Sequence, residues 1–333
     1  MATKTNPGLI ARIGYSQLPP WARPAHPIMR SIMGSRSATL KRRLLKFLLF
    51  LAAMAVAVGL GYIIANNQTA NETPTTREIL YWPLVGGQII AMLLAVALTA
   101  NVVAIERQKQ TWDSLKLSLS GVSLTLRARW ISVFFKLGWL LAAITIGRIV
   151  YTGLLLRDMT EFQGRALDLY ISGITPEISL NVAMLLMAAI MTAFILLPFI
   201  AVGLGAAIGL LMSVYTQTRS IVILGMLLLI GLRLAITAGA IVVGNTVFEE
   251  VGVVSELFQM DNSTAWYRII FASVEGDMML KLVNLETLGQ IWADVENTVY
   301  IGGVILGVVL VQAILANAIV LFAAWRATKP TKA

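Results

Sequence analysis

Long apolar runs alternate with short polar connections along the chain. A helix that crosses the hydrocarbon core of a bilayer needs about 20 mostly apolar residues. Six segments meet this condition, at residues 44–66, 80–104, 131–156, 180–212, 220–246 and 298–325. The fourth is longer than one crossing requires and contains Pro198, so we expect it to be tilted, kinked or extended beyond the membrane. The pattern predicts an all-α integral membrane protein with six transmembrane helices.

Composition supports this prediction and excludes several kinds of site. The 333 residues are 58% hydrophobic and only 13% charged, with a mean hydropathy of +0.79, whereas a soluble domain is about 25% charged. Cysteine is absent, which excludes disulfides, thiolate metal sites and a cysteine nucleophile. The first apolar run begins near Leu44, too late for an ordinary cleaved signal peptide, so we expect the N-terminus to be retained.

The distribution of charge predicts the orientation. The net charge of +9 would suit a nucleic-acid partner, but the basic residues flank apolar spans rather than forming one face. Residues 1–46, 105–130, 213–219 and the tail 326–333 contain eighteen Lys and Arg and two acidic residues, and we call this side the basic end. The other connections, 67–79, 157–179 and 247–297, contain five basic and fifteen acidic residues and form the acidic end. Because short cytoplasmic loops are enriched in Lys and Arg, both termini are predicted to be cytoplasmic, in a multi-pass protein of the inner (plasma) membrane.

The cytoplasmic connection 105–130 has the spacing of an amphipathic helix. Its apolar residues recur at steps of three and four, which places them on one helix face; they are Trp112, Leu115, Leu119, Val122 and Leu126. Lys109, Asp113 and Lys116 lie on another face at ion-pair spacing. Periodicity alone favours an interfacial helix that only anchors the second and third spans, and it leaves open a segment that binds a cytoplasmic partner.

A short motif in this connection resembles permease subunits of the ABC-2 class of ABC transporters. The pattern E-R-x-x-x-T-x-x-x-L follows the second span and is carried by Glu106, Arg107, Thr111 and Leu115, with Arg129 before the third span. The resemblance implies the ABC-2, type V exporter-like permease fold, with this segment as a coupling helix that docks into a separate ATPase subunit. The residues it assigns to coupling are Glu106, Arg107, Thr111, Trp112, Leu115 and Leu119.

The N-terminal arm, residues 1–43, contributes a second resemblance. The stretch from His26 to Phe47 is similar to the basic N-terminal helix of such permeases, which begins at a proline and runs along the membrane into the first span. In that interpretation Ile28, Met29 and Ile32 face lipid. A generic basic flank explains the same residues equally well.

The resemblance also implies the partners. They are a soluble P-loop ATPase subunit, which would carry the ATP and Mg, a second permease copy or homologue, and membrane lipids. No nucleic acid is expected, and this chain is expected to bind no cofactor itself.

Two arginines occupy positions where a charge is costly. Arg233 lies near the middle of the fifth span and Arg148 in the outer half of the third, and no span contains Asp or Glu. A charge at the bilayer centre costs about 2.5–3.5 kcal/mol on insertion scales, so such residues usually face the bundle interior or a wet cavity. The open partners are carbonyls, outer-loop carboxylates or an anionic ligand in a substrate pathway. For Arg148 the sequence favours a structural role, in which it snorkels or caps a neighbouring helix.

The acidic loop 247–297 is about fifty residues long, which is unusual for a compact membrane protein. The family resemblance implies short helices here that dip into the outer leaflet before the sixth span. A folded external cap and a partner-binding surface are the alternatives.

The sequence excludes several activities for this chain and leaves three hypotheses. The P-loop pattern G-x-x-x-x-G-K-[ST] does not occur, so ATP hydrolysis would require another polypeptide. An H-E-x-x-H metal motif and a G-x-S-x-G elbow are also absent. The first hypothesis is a permease subunit of an ATP-driven transporter that exports a lipid-like or amphipathic substrate. The second is a non-transporting scaffold or accessory subunit that retains the ABC-2 fold, and the third, the least supported, is an intramembrane enzyme.

Overall fold

The computed structural model describes residues 18–24, 26–33, 40–68, 75–108, 112, 121–171, 180–216, 219–249, 262–279 and 299–328. These residues are almost entirely helical. A short 3₁₀ helix, Pro20–Ala22, is followed by ten α-helices: α1 (Pro27–Met33), α2 (Leu40–Gln68), α3 (Thr76–Ala100), α4 (Val102–Gln108), α5 (Gly121–Lys136), α6 (Gly138–Ile171), α7 (Leu180–Tyr215), α8 (Arg219–Glu249), α9 (Asn262–Glu275) and α10 (Val299–Thr328).

The described helices account for five or six membrane crossings. Five stretches are long and apolar enough to span a bilayer: Leu48–Asn67, Thr76–Arg107, Met187–Tyr215, Ser220–Gly244 and Gly302–Thr328. A sixth crossing results if α5 and the first part of α6, to Leu154, count as one bent span. The prediction of a multi-pass helical membrane protein is therefore confirmed at this level.

The predicted third span, residues 131–156, is not one straight helix. The chain breaks at Leu137, where α5 and α6 meet at an angle of 57°. Both helices lie against α7, but α5 also packs on α10, whereas α6 also packs on α3. The bend lets one stretch of chain satisfy both contacts. An apolar pattern does not record such a change of partner, so the sequence located the segment but not the bend within it.

The fourth predicted span lies within a long helix that contains Pro198, as the sequence indicates. Helix α7 runs for 36 residues with Pro198 inside it. At a rise of 1.5 Å per residue, a helix of this length exceeds the hydrocarbon thickness of about 30 Å.

Helices α3, α7 and α10 form the centre of the bundle. Helix α7 packs along both α3 and α10, whereas α2 and α8 lie at the periphery with most of their apolar side chains exposed. Two glycines of α7 permit its close approach to α3, as the small-residue pattern predicts. A Cβ at Gly205 would lie 3.1 Å from the Met92 carbonyl oxygen, and one at Gly209 would lie 2.9 Å from the Val96 carbonyl oxygen.

The described part of the N-terminal arm, residues 20–22 and 27–33, packs on the basic end of the bundle. Helix α1 begins at Pro27, the first helical position, where a missing N–H costs nothing. It lies against α5, and Met29 is fully buried. The expectation that Met29 faces lipid is therefore wrong, since α5 covers that side. Arg30 is exposed, as a basic residue of an interfacial helix should be.

Candidate functional site

An ion pair at the basic end joins the second span to α5. The Arg129 Nη2 donates to the Glu106 Oε1 at 2.5 Å, and both side chains are largely shielded, with exposures of 23% and 13%. These are two of the residues that carry the permease resemblance. The pair closes the 106–129 connection on itself, so its two ends are held together.

Trp112 fixes the same connection to the bundle. Its side chain is 4% exposed and belongs to an apolar cluster supplied by four helices, which we call the basic-end cluster. The other buried members are Val102 and Val103 of α4, Val122 and Leu126 of α5, Leu210 and Val214 of α7, and Ala323, Ala324 and Ala327 of α10. Three residues of the predicted stripe, Trp112, Val122 and Leu126, therefore share one buried surface. The remaining two, Leu115 and Leu119, lie outside the described residues, as does Thr111.

One buried charge cluster surrounds Arg148 of α6. The guanidinium is fully buried and forms a salt bridge with Asp277, which is 3% exposed and follows α9. It also donates to the Phe194 carbonyl oxygen and, at 2.6 Å, to the Gln88 Oε1. The Phe194 ring lies 4.0 Å from the guanidinium carbon, in cation–π geometry. Snorkelling is therefore the wrong interpretation of Arg148, because internal partners satisfy its charge.

A second charge cluster surrounds Arg233 of α8. Its Nη1 forms a salt bridge with Glu275 Oε2, and the Gln312 Nε2 of α10 donates to Glu275 Oε1 at 3.0 Å. The two charged side chains are 26% and 17% exposed, so this pair is less buried than the first. Outer-loop carboxylates are thus the partners of both intramembrane arginines. Each pair is neutral as a unit, so neither leaves an unbalanced positive charge to attract an anion.

The turn after α9 brings both carboxylates into place. Asp277 has φ of 57°, in the left-handed region that Asp tolerates better than most residues. The Met278 N–H donates to the Ala272 carbonyl at 3.2 Å, so the chain folds back over the helix end. Gly276 lies directly on the α8 backbone: a Cβ there would be 3.2 Å from both the Ala240 carbonyl carbon and the Ile241 nitrogen.

These contacts place the end of α9 in the acidic-end part of the spans, where the Gly276 backbone lies against Ala240 and Ile241 of α8. The Glu275 side chain reaches deeper, to Arg233 and Gln312, which lie in the middle third of the apolar stretches Ser220–Gly244 and Gly302–Thr328. Helix α9 therefore reaches into the acidic-end half of the bundle as a re-entrant element. This arrangement agrees with helices that dip into the membrane and contradicts an entirely external cap for residues 262–279.

The carboxylates of the described residues near the two arginines are engaged in ion pairs. Among the described residues, no group of three or more His, Asp or Glu side chains is placed to hold a metal ion. Each carboxylate of the re-entrant turn is paired with an arginine, and a paired carboxylate is a poor general base. Two neutral charge clusters connect α9 and the turn after it to five other helices, α3, α6, α7, α8 and α10.

Sequence reasoning located both arginines and named outer-loop carboxylates and carbonyls among their open partners, but it did not identify which residues supply them. Asp277 is 129 positions from Arg148 along the chain. The sequence did contain one indication of these partners. Because two arginines lie within spans and no span contains Asp or Glu, any carboxylate partner must come from a loop. Gly276, between the two acidic residues, marks the close backbone approach that brings them in.

Comparison with models of protein families, with curated proteins and with solved structures finds no match for this chain. The resemblance to ABC-2 permeases therefore remains an expectation from short motifs. The structure by itself shows a helical bundle with five or six helices long and apolar enough to span a membrane, which is compatible with a multi-pass membrane protein.

Proposed function

We propose that this chain is the permease subunit of an ATP-driven exporter, with the 106–120 segment as its contact to a separate ATPase. The observation that carries the proposal is the anchoring of that segment. Trp112 is buried among residues of α4, α5, α7 and α10, and the Glu106–Arg129 pair joins its flanks. A force applied to the segment would therefore reach the ends of four helices at once.

The proposed mechanism follows from this mechanical connection. ATP binding would bring two ATPase subunits together on the cytoplasmic side. The 106–120 segments would then act as levers that tilt α3, α4 and α5 in each of two permease copies. Because α7 and α10 share the basic-end cluster, they would move with the lever. The interface between the copies would switch from inward-open to outward-open.

The proposed substrate is lipid-like or amphipathic. The exposed faces of α2, α8 and α10 are apolar, and a pathway between such faces accommodates an apolar tail. The balanced Arg233–Glu275 pair gives no reason to prefer an anionic head group over a neutral one.

Co-purification from native membranes tests the proposal. The tagged chain is extracted in mild detergent, and bound proteins are identified by mass spectrometry. A protein with a P-loop should co-purify stoichiometrically with the wild type and be lost with Glu106→Ala or Leu115→Ala. Val311→Ala, a change at an exposed position of α10, serves as the matched control and should retain it.

The competing hypothesis is a non-transporting scaffold with the same fold. It predicts that changes at Glu106 and Leu115 leave the co-purifying proteins unchanged, and that no P-loop protein is among them. This result would overturn the exporter proposal.

A further inference from the structure

Two acidic residues at the tip of the re-entrant segment bind two different helices. Glu275 pairs with Arg233 of α8, and Asp277 pairs with Arg148 of α6. Only Gly276 separates them in sequence. This turn of three residues, 275–277, therefore joins α8 to α6, which belong to different parts of the bundle.

The two pairs differ in burial. Arg148 and Asp277 are 0% and 3% exposed, and Arg148 has two further partners, Gln88 and the Phe194 carbonyl. Removing one member of such a pair leaves an uncompensated buried charge, which is strongly destabilising. Arg233 and Glu275 keep 26% and 17% exposure, so fewer surrounding protein atoms hold this pair in place. The second pair is the one that can open.

Helix α8 depends on α9 for its attachment. It packs more extensively on α9 than on α3 or α7. Its remaining surface consists largely of exposed apolar side chains, such as Leu224, Leu228 and Leu232. The closest contacts between the latch region and α8 are made by Gly276, against the backbone of Ala240, and by Met278, against Gly244. If the Arg233–Glu275 pair separates, α8 loses the ion pair that joins it to α9.

We propose that residues 275–277 form a latch in which the Asp277–Arg148 pair is the fixed part and the Glu275–Arg233 pair is the releasable part. Release separates α8 from α9 and opens a wet gap lined by Arg233, Glu275 and Gln312. Asp277 keeps α9 inside the bundle during this movement. The use of the gap as a gate rests on the proposed transport function, whereas the release itself does not.

Cysteine accessibility measures the release directly, because the chain has no native cysteine. Thr237 of α8 is 4% exposed and lies one helical turn from Arg233 and three residues before Ala240, on the face that meets the latch. In the full-length protein in lipid vesicles, Thr237→Cys is treated with a membrane-impermeant methanethiosulfonate reagent. Gly303→Cys, an exposed position at the start of α10 on the acidic end, reports the unhindered labelling rate.

The expected result is slow labelling of Thr237→Cys alone and labelling at least about tenfold faster when Glu275→Gln is added, because loss of a charged hydrogen bond shifts a local equilibrium by about that factor. The exchanged pair Arg233→Glu with Glu275→Arg should restore slow labelling. If Glu275→Gln aggregates on gel filtration, Arg233→Gln takes its place in the same comparison.

Three results would overturn the proposal. One is unchanged labelling of Thr237→Cys in a folded Glu275→Gln protein. Another is fast labelling that the folded exchanged pair does not reverse, which would exclude charge pairing as the cause. The third is equal acceleration by Asp277→Asn in a folded protein, which would contradict the assignment of fixed and releasable parts. None of these readouts requires an ATPase or a substrate, so they are independent of the exporter proposal.

Discussion

Neutralising Asp277 should destabilise the protein more than any other single carboxylate change among the described residues. Asp277→Asn is the informative substitution, because Asn tolerates the left-handed backbone of this position and nearly matches the shape of Asp. The main effect of the substitution is therefore the loss of one negative charge beside the fully buried guanidinium of Arg148. Breaking a buried ion pair from one side costs about 3–5 kcal/mol.

A double-mutant cycle separates the pair from its surroundings. Arg148→Gln alone leaves the carboxylate of Asp277 buried without its counter-ion and should cost a similar amount. The combined variant has no uncompensated charge, so it should be more stable than the sum of the single changes by about 2 kcal/mol. Equilibrium unfolding in mixed detergent micelles, followed by tryptophan fluorescence, supplies the free energies.

The Arg233–Glu275 pair provides the matched comparison. Its partial exposure places the expected cost between the about 0–1 kcal/mol of exposed pairs and the about 3–5 kcal/mol of buried ones. Additive effects at Arg148 and Asp277, or a larger cost at Arg233 and Glu275, would refute the view that the first pair is the fixed anchor of α9.

Three further predictions concern packing and the basic end. Gly276→Ala should lower the free energy of unfolding by about 1–3 kcal/mol, because the added Cβ meets backbone atoms that cannot move aside. Gly303→Ala, where the added Cβ meets nothing, should be neutral or stabilising by up to about 1 kcal/mol. The same unfolding assay compares the two variants. Trp112→Ala should lower the free energy of unfolding by about 3–5 kcal/mol, as expected for a buried tryptophan. A loss of less than about 1 kcal/mol would mean that the basic-end cluster does not hold the 106–120 segment. Glu106→Gln should cost about 1–3 kcal/mol, between the values for exposed and buried pairs, and should also reduce recovery of the ATPase in pull-downs. Equal recovery with Glu106→Gln and wild type would remove Glu106 from the contact.

Apolar periodicity predicted the spans well because lipid imposes one requirement on every crossing helix. Each crossing helix must be apolar over about 20 consecutive residues, and such a run can be recognised in the sequence. The break at Leu137 was not predicted, since it arises where α5 packs on α10 and α6 packs on α3. Burial of Met29 was missed for the same reason: a hydrophobic residue on an interfacial helix looks identical whether lipid or α5 covers it.

The charge clusters were half predictable. Two arginines lie within spans, and no span contains Asp or Glu, so the sequence indicates that any carboxylate partners must come from the loops. Choosing Glu275 and Asp277 among the nine acidic residues of the 247–297 loop requires the three-dimensional path of the chain. The left-handed turn at Asp277 and the contact of Gly276 with α8 decide that choice, and neither appears as a periodic pattern.

The central functional claim is that the 106–120 segment is held by a nucleotide-driven partner in the cytoplasm. Site-specific photo-crosslinking in native membranes tests it most directly, with a photoreactive amino acid at Leu115 and, as control, at Gly303 on the acidic end. The account predicts one prominent adduct from position 115, containing a P-loop protein, and none from position 303. Adducts from position 115 to lipid alone, or to a protein without a nucleotide-binding motif, would contradict it.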